Sequence, residues 1–282
     1  VNSRTEQSRL LKFPVAFLTS YDEIQSHERS IMAKTILITG ATSGFGKSIA
    51  ERFCTAGWNL IIVGRRAERL HDLATELGKK VNVLPITLDV RKRKAVGEAF
   101  SDLPDNFKSV EILINNAGLA AGLEPAQAAD LDKWDAMVDT NIKGLMYVTR
   151  AILPGMIQRN TGHIVNIGSI AGSWPYEGGN VYGASKAFVA QFSRNLRTDV
   201  AGTALRVTNI KPGIAETEFS LGRFGGDAAR AKEVYHDCQP LTAGDIAEIV
   251  FWVTNLPSHI NINDLEVMPV CQTWNGFKIT RR

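Results

Sequence analysis

The chain has 282 residues, a formal net charge of +3, 44% apolar residues and 22% charged residues. These values suit a globular chain with a sizeable core and exclude a disordered one; so small a charge gives no electrostatic footing for a nucleic-acid or membrane-surface partner. No uninterrupted apolar run of about eighteen residues occurs, so no bilayer-spanning helix is predicted.

Residues 1–33 are mixed in charge and carry Glu6, Asp22, Glu23 and Glu28. They lack a signal-peptide core, and the acids argue against an organelle transit peptide. Met32 stands just before the first strand-like run. Residues 1–33 are therefore read as an N-terminal extension or leader, a poorly ordered arm outside a domain over 34–282.

From there short β-branched runs recur: "TILITG" (35–40), "NLIIVG" (59–64), "VNVLPI" (81–86), "EILINN" (111–116), "HIVNIG" (163–168), "RVTNI" (206–210) and "NDLEVM" (263–268). Helical stretches separate them, including "KSIAERFCTAG", "AERLHDLATELG" and a long one from about Leu131 to Gln158. Apolar strands without alternation, interleaved with amphipathic helices, predict a parallel sheet covered on both faces. Seven strands in one series, with no Pro- or Gly-rich linker, predict a single doubly wound α/β domain. One glycine-rich segment, 213–242, breaks the rhythm after the sixth strand, where open α/β sheets place lids.

The three cysteines, Cys54, Cys238 and Cys271, are odd in number and widely spaced, and are read as buried thiols in a reducing, cytoplasmic compartment. The five histidines show no HExxH or other ligand spacing, so no metal site is expected.

"TGATSGFGKSIA" (39–50) follows the first strand and opens the first helix. Gly40, Gly44 and Gly46 permit a tight turn and let a phosphate approach main-chain N–H groups at a positive helix terminus. With Thr42, Ser43 and Phe45 they are the expected dinucleotide-phosphate contacts. The second strand ends in "GRRAERL", with Arg65 and Arg66 where an NAD-binding chain carries an acid. Arginine there accommodates a 2′-phosphate, so NADP(H) is predicted over NAD(H). Asp89 and Val90 after the third strand, and Asn116, Ala117 and Gly118 after the fourth, fall at the same sheet edge; Asp89 could accept from the adenine amino group. Singly, each is an ordinary strand-end turn.

"NVYGASKAF" places Tyr182 and Lys186 four residues apart, on one helix face. With Ser169 at a strand end, Asn141 upstream, "TGATSGFG" and "NNAG", the order and intervals resemble the short-chain dehydrogenase/reductase family across residues 35 to about 270, which implies a Rossmann-type fold. "GRRAERL", "NNAGLAAGLEPA", "IGSIAGSWPYEGGNVYGASKAF" and "NINDLEVMPV" look like its NADP-dependent 3-hydroxy acid dehydrogenase subgroup. That subgroup acts on L-serine, L-allo-threonine and 3-hydroxypropionate and reduces malonic semialdehyde.

The resemblance implies a catalytic group of Asn141, Ser169, Tyr182 and Lys186. A free phenol titrates near ~10 and is a poor base at neutral pH. The expectation is that Lys186, with the positive nicotinamide ring, stabilises a Tyr182 phenolate. Ser169 would hold the reacting oxygen, Lys186 would bind the nicotinamide ribose, and Asn141 would position a water relaying protons to Lys186. Pro212, Gly213, Ile214 and Thr217 are the expected nicotinamide-side contacts, the last two near the carboxamide. Trp174 and Tyr176 would wall the pocket. A buried carboxylate demands a cation, and Arg223 is the candidate.

A different short-chain carbonyl or 3-oxoacyl reductase, or a non-catalytic NADP(H)-sensing protein, are the alternatives. The resemblance also implies a homotetramer. "MPVCQTWNGF", with Trp274 and Phe277, is either an interface element or a core-packed terminus.

Overall fold

The structure, a computed structural model, describes residues 34–274. The expectations for residues 1–33 and for Phe277 lie outside the described residues. The strands are β1 (Thr35–Thr39), β2 (Asn59–Gly64), β3 (Val83–Thr87), β4 (Val110–Asn115), β5 (Gly162–Ile167), β6 (Leu205–Pro212), the two-residue β7 (Ala215–Glu216) and β8 (Leu241–Thr242), and β9 (Asp264–Val267). Seven of them form one parallel sheet in the order β3-β2-β1-β4-β5-β6-β9, as the apolar runs predict.

Both faces of the sheet are covered because successive strand side chains point to opposite sides. Ile36, Ile38, Leu60 and Ile62 join Ile49 and Phe53 of α1 (Gly44–Thr55) in one buried layer, together with Leu70 of α2 (Ala67–Leu77). The intervening Leu37, Ile61 and Val63 face the other layer, against Val96 of α3 (Arg93–Ser101). Phe53 has no exposed surface and meets Trp58 and Phe251 edge-on, each at 5.3 Å between ring centroids. Emptying such a site costs about 3–5 kcal/mol.

The expected long helix after Leu131 is interrupted. α4 (Leu131–Val138) passes through a π-helical turn at Asp139–Gly144 before α5 (Leu145–Arg159) resumes. The wider turn carries Asn141 into the interior, where it is 2% exposed; single π turns of this kind concentrate at functional sites. α5 ends at Asn160, whose left-handed backbone (φ 51°) stops the helix.

The strand order reverses direction between β1 and β4, and a crevice opens outside the carboxyl ends of the strands at such a switch point. α6 (Asn180–Asp199) flanks that edge. Buried amides tie the parts together: Asn115 Nδ2 donates to Thr149 at 2.9 Å and to Asn166 at 2.8 Å, and Asn166 Nδ2 donates to Ser193 at 2.8 Å.

The insertion after β6 folds as α7 (Glu218–Arg223) and α8 (Ala228–Glu233), bracketed by the parallel β7–β8 pair. Thr217 caps α7 by accepting from Phe219 N at 3.2 Å. α9 (Ala243–Thr254) then packs beside α1 under a reciprocal Thr242/Asp245 cap.

The reading of three buried thiols needs correction. Cys54 is a buried free thiol, but Cys238 and Cys271 form a disulfide with Cα atoms 6.2 Å apart. Thirty-three residues separate them in sequence, and only the return of the chain through α9 and β9 brings the end of the lid beside the C-terminal segment. Among the described residues no helix is long and apolar enough to cross a membrane.

Candidate active site

One cleft of about 700 Å³ runs along the carboxyl edge of the sheet. Every expected site residue lines it except Gly46, Asn141 and Trp174. The expectation that Trp174 walls the pocket is corrected: its ring turns outward, 40% exposed, beside Trp274 at 6.4 Å between centroids.

At one end lies the glycine turn. Gly40 and Gly44 adopt left-handed backbones (φ 68° and 51°), which glycine reaches without steric cost. Gly46 works from behind: a Cβ there would lie 2.3 Å from the Gly40 carbonyl oxygen, so only glycine lets α1 close onto the end of β1. Ser43 sits at the N-cap of α1 but caps no backbone N–H with its side chain, and the first turn holds no acid. The helix start therefore keeps its donors and positive potential for an anion, which fits a dinucleotide phosphate.

Thr39 organises the neighbouring loop, a role the sequence reading missed. Its hydroxyl oxygen accepts from the backbone N–H of Asn116 and of Ala117, each at 3.0 Å. Asn116 in turn donates to the carbonyls of Thr39 (2.9 Å) and Gly40 (3.2 Å). Four strand-end residues thus hold the loop against the turn, leaving Ala117 and Gly118 on the cleft floor.

Arg65 and Arg66 border the same end of the cleft. Arg66 donates from Nε to Thr42 at 3.1 Å and from Nη2 to Thr42 and Ser43 at 2.9 and 2.7 Å. Two positive side chains beside an uncapped helix start fit a phosphorylated ribose. Asp89 is gripped by Arg91, Nη2 to Oδ2 at 2.6 Å, and this hydrogen bond holds its carboxyl below the ordinary value.

At the other end Ser169, Tyr182 and Lys186 come together. Ser169 caps the short 3-10 turn at Ile170–Gly172, accepting from Ala171 N at 3.1 Å. Tyr182 is 9% exposed, and Phe219 of the lid covers its ring at 5.8 Å between centroids. Burial pushes the phenol up to about 12, with a contribution in the same sense from Tyr176; the hydrogen bond with Ser169 and the Arg223 cation oppose it.

Burial of the phenol thus opposes the depression expected from Lys186 and the nicotinamide ring. Lys186 Nζ donates to the Ile167 carbonyl at 2.8 Å and stands 5.9 Å from the Tyr182 ring centroid. Burial lowers its own ammonium to about 8. For a phenol this deeply buried, desolvation outweighs the favourable charges around it.

Asn141 lies one layer back. Its Oδ1 accepts from Leu119 N at 2.9 Å, and Nδ2 donates to Leu119 O and Ser185 Oγ, both at 2.9 Å. The side chain fastens the π turn to the loop after β4 and to α6. A Cβ on Gly118 would lie 3.3 Å from Asn141 Oδ1 and 3.6 Å from Lys186 Nζ, so the three residues converge.

Arg223 reaches into this end from α7. Nη2 donates to the Tyr176 hydroxyl at 2.5 Å, and its guanidinium carbon lies 5.3 and 5.5 Å from the Tyr176 and Tyr182 ring centroids. Among the described residues its buried Nε has no hydrogen-bond partner. Gln272 is a further lining residue that no motif announced; its Oε1 accepts from Ile214 N at 2.7 Å, holding the start of the lid from 58 residues away. Glu218, Ser220 and Tyr235 of the lid were likewise missed.

The sequence matches the family described as short chain dehydrogenase over residues 34–224. It is 55% identical over 251 residues to sulfoacetaldehyde reductase 2 of Chromohalobacter salexigens, covering 89% of this chain and all of that protein. It is 55% identical over 248 residues to the NADP-dependent 3-hydroxy acid dehydrogenase YdfG of Escherichia coli (strain K12), covering 88% of this chain and 99% of that one. The closed form of a serine dehydrogenase complexed with NADP+ superposes with a TM-score of 0.84 at 54% identity, over 88% of this chain and 100% of that chain.

Proposed function

The chain belongs to the short-chain dehydrogenase family, and on that premise we propose an NADP-dependent oxidoreductase acting on small 3-hydroxy acids and the matching acid-bearing aldehydes. The substrates are L-serine, L-allo-threonine and 3-hydroxypropionate in oxidation and malonic semialdehyde in reduction. The observation that carries the reading is the cleft itself: an uncapped helix start with Arg65 and Arg66 at one end, and Ser169, Tyr182 and Lys186 at the other. Its volume lies within the usual range for a ligand site.

When bound, NADPH supplies the hydride in reduction and NADP+ accepts it in oxidation. The rest is the work of side chains. Ser169 holds the substrate oxygen by a hydrogen bond. Tyr182 gives its hydroxyl proton to that oxygen as charge develops there, and takes it back in oxidation. A phenol held near 12 stays protonated at neutral pH and is ready as the acid of the reducing direction. Lys186, anchored on the Ile167 carbonyl, presents its remaining donors to the nicotinamide ribose. Asn141 is assigned to positioning, through Leu119 and Ser185, and to placing the water that relays protons to Lys186.

Arg223 binds the acid group of the substrate. Its unpartnered Nε and its place beside the Tyr182 ring support that role. A guanidinium receives a carboxylate or a sulfonate, and the relative named sulfoacetaldehyde reductase adds sulfoacetaldehyde to the substrates to be tried. A homotetrameric assembly and a cytoplasmic location complete the proposal, the first to be measured by light scattering.

The deciding assay follows NADPH oxidation with malonic semialdehyde, sulfoacetaldehyde, bulky ketones and acyl thioesters, and NADP+ reduction with the three hydroxy acids. Turnover confined to small acid-bearing substrates is expected. Preference for thioesters or bulky ketones would instead make this a carbonyl or 3-oxoacyl reductase, and inertness toward the whole panel would leave a nucleotide-sensing protein.

A further inference from the structure

Glu218, the first residue of the lid helix α7, places its carboxylate between two guanidinium groups. Oε2 accepts from Arg66 Nη1 at 3.0 Å, and Arg69 Nη1 bonds Oε1 and Oε2 at 3.0 and 2.8 Å. Arg66 meanwhile holds Thr42 and Ser43 of the glycine turn with its other nitrogens. One acid thus staples the lid to both turns that face the cofactor, across 152 residues of sequence. The Glu218 carboxyl is held below its ordinary value, first by the Arg66 hydrogen bond.

We propose that Glu218 is a latch that answers only to the phosphorylated cofactor: the 2′-phosphate of NADP(H) replaces the Glu218 carboxylate on Arg66, and the start of α7 loses its tie to the glycine turn as it does so. The inference rests on the NADP(H) reading above.

Three features carry it. The carboxylate occupies the Arg66 nitrogen turned toward the lid, so a dianionic phosphate arriving at that guanidinium meets a like charge and one anion must leave. Both partners are open to solvent, Arg66 at 42% and Glu218 at 49% of the side-chain surface, so an incoming ligand reaches the pair directly. An exposed ion pair is also weak enough for a doubly charged competitor to displace. A cofactor without the 2′-phosphate has nothing to offer Arg66 and leaves the latch shut. Arg69, which does not line the cleft, keeps its two bonds to Glu218, so the start of α7 loses its tie to the glycine turn and stays tethered to α2.

The test uses the full chain with 2′,5′-ADP and 5′-ADP, fragments that share the adenine end and differ in the 2′-phosphate. Calorimetric titration of the wild type comes first, and equal affinity for the two would sink the NADP(H) reading itself. Given a wild-type preference for 2′,5′-ADP, Glu218→Gln should tighten that fragment by about threefold to tenfold, the scale set by an exposed ion pair and a removed repulsion. Binding of 5′-ADP should stay unchanged. If Glu218 merely orients Arg66, the variant will bind 2′,5′-ADP more weakly; that result, or no change, overturns the latch while leaving the cofactor assignment standing. Hydrogen exchange supplies a readout independent of affinity. In the wild type, amides of residues 218–223 should exchange faster with 2′,5′-ADP and not with 5′-ADP; equal exchange would overturn the loss of that tie. Glu218→Ala repeats the comparison, and unchanged thermal denaturation of either variant certifies its fold.

Discussion

Lys186 Nζ lies 2.8 Å from the Ile167 carbonyl oxygen and 5.9 Å from the centre of the Tyr182 ring. The ammonium is thus anchored to the end of β5, and its neighbour keeps a neutral hydroxyl. Acid and cation are poised separately, each with its ionisation set by burial.

Tyr182→Phe removes the proton donor and keeps the ring that packs on Phe219. Turnover should fall by about 10²–10⁴-fold, the range that positioned acid–base groups supply. Fluorescence titration should show NADPH affinity within about twofold of the wild type. Retention of a tenth or more of the wild-type rate would remove Tyr182 from the proton transfer.

Lys186 is a burden on the fold. Its pKa falls from an ordinary 10.5 to about 8 on burial. The charged form is disfavoured in the folded state, so the cost is complete below pH 8 and disappears as pH rises to the unfolded value. A shift of that size corresponds to about 3 kcal/mol, from which the lost hydrogen bond to Ile167 takes back about 1. Lys186→Met should therefore raise the Tm of the cofactor-free protein at pH 7 by several degrees and lose that advantage near pH 10.5. Its turnover should be abolished. Equal Tm values at pH 7 would show that the ammonium finds water in the folded state.

Much of this was legible in the sequence, for reasons that differ by residue. The strands announce themselves because a parallel sheet covered on both faces needs continuous apolar runs such as "LIIV" at 60–63. Tyr182 and Lys186 are legible because one helix carries both at a fixed interval. What stayed hidden depends on contacts between distant segments: Glu218 with Arg66, Gln272 with Ile214, Cys238 with Cys271. The direction of the Tyr182 shift belongs with these. It turns on burial beneath a lid, and the spacing of "YGASK" carries no information about burial.

Arg223→Met should separate charge recognition from chemistry. Losing a charged hydrogen bond costs about 1.5–3 kcal/mol, so KM for malonic semialdehyde or sulfoacetaldehyde should rise about 10- to 100-fold. Propionaldehyde, which has no acid group, should be turned over with nearly unchanged kcat/KM. Parallel losses for charged and uncharged aldehydes would mean that Arg223 supports the lid through Tyr176 and does not bind the acid group.

The Cys238–Cys271 bond ties the end of the lid to the segment that carries Gln272, and Gln272 in turn holds Ile214 at the lid's beginning. Both ends of residues 213–242 are therefore fastened to one short stretch after β9. A cross-link closing a loop of 33 residues stabilises the fold by about 3–4 kcal/mol through the entropy it removes from the unfolded chain. Dithiothreitol should lower the Tm of the wild type by several degrees, and Cys271→Ser should match the reduced protein and ignore the reductant. Gln272 sits next to the bond, so the loss should extend beyond stability, with faster hydrogen exchange across residues 213–217 in the reduced protein. A wild-type Tm indifferent to dithiothreitol, with two free thiols titrating in the untreated protein, would show that the pair stays reduced and that Gln272 alone fastens this side of the lid.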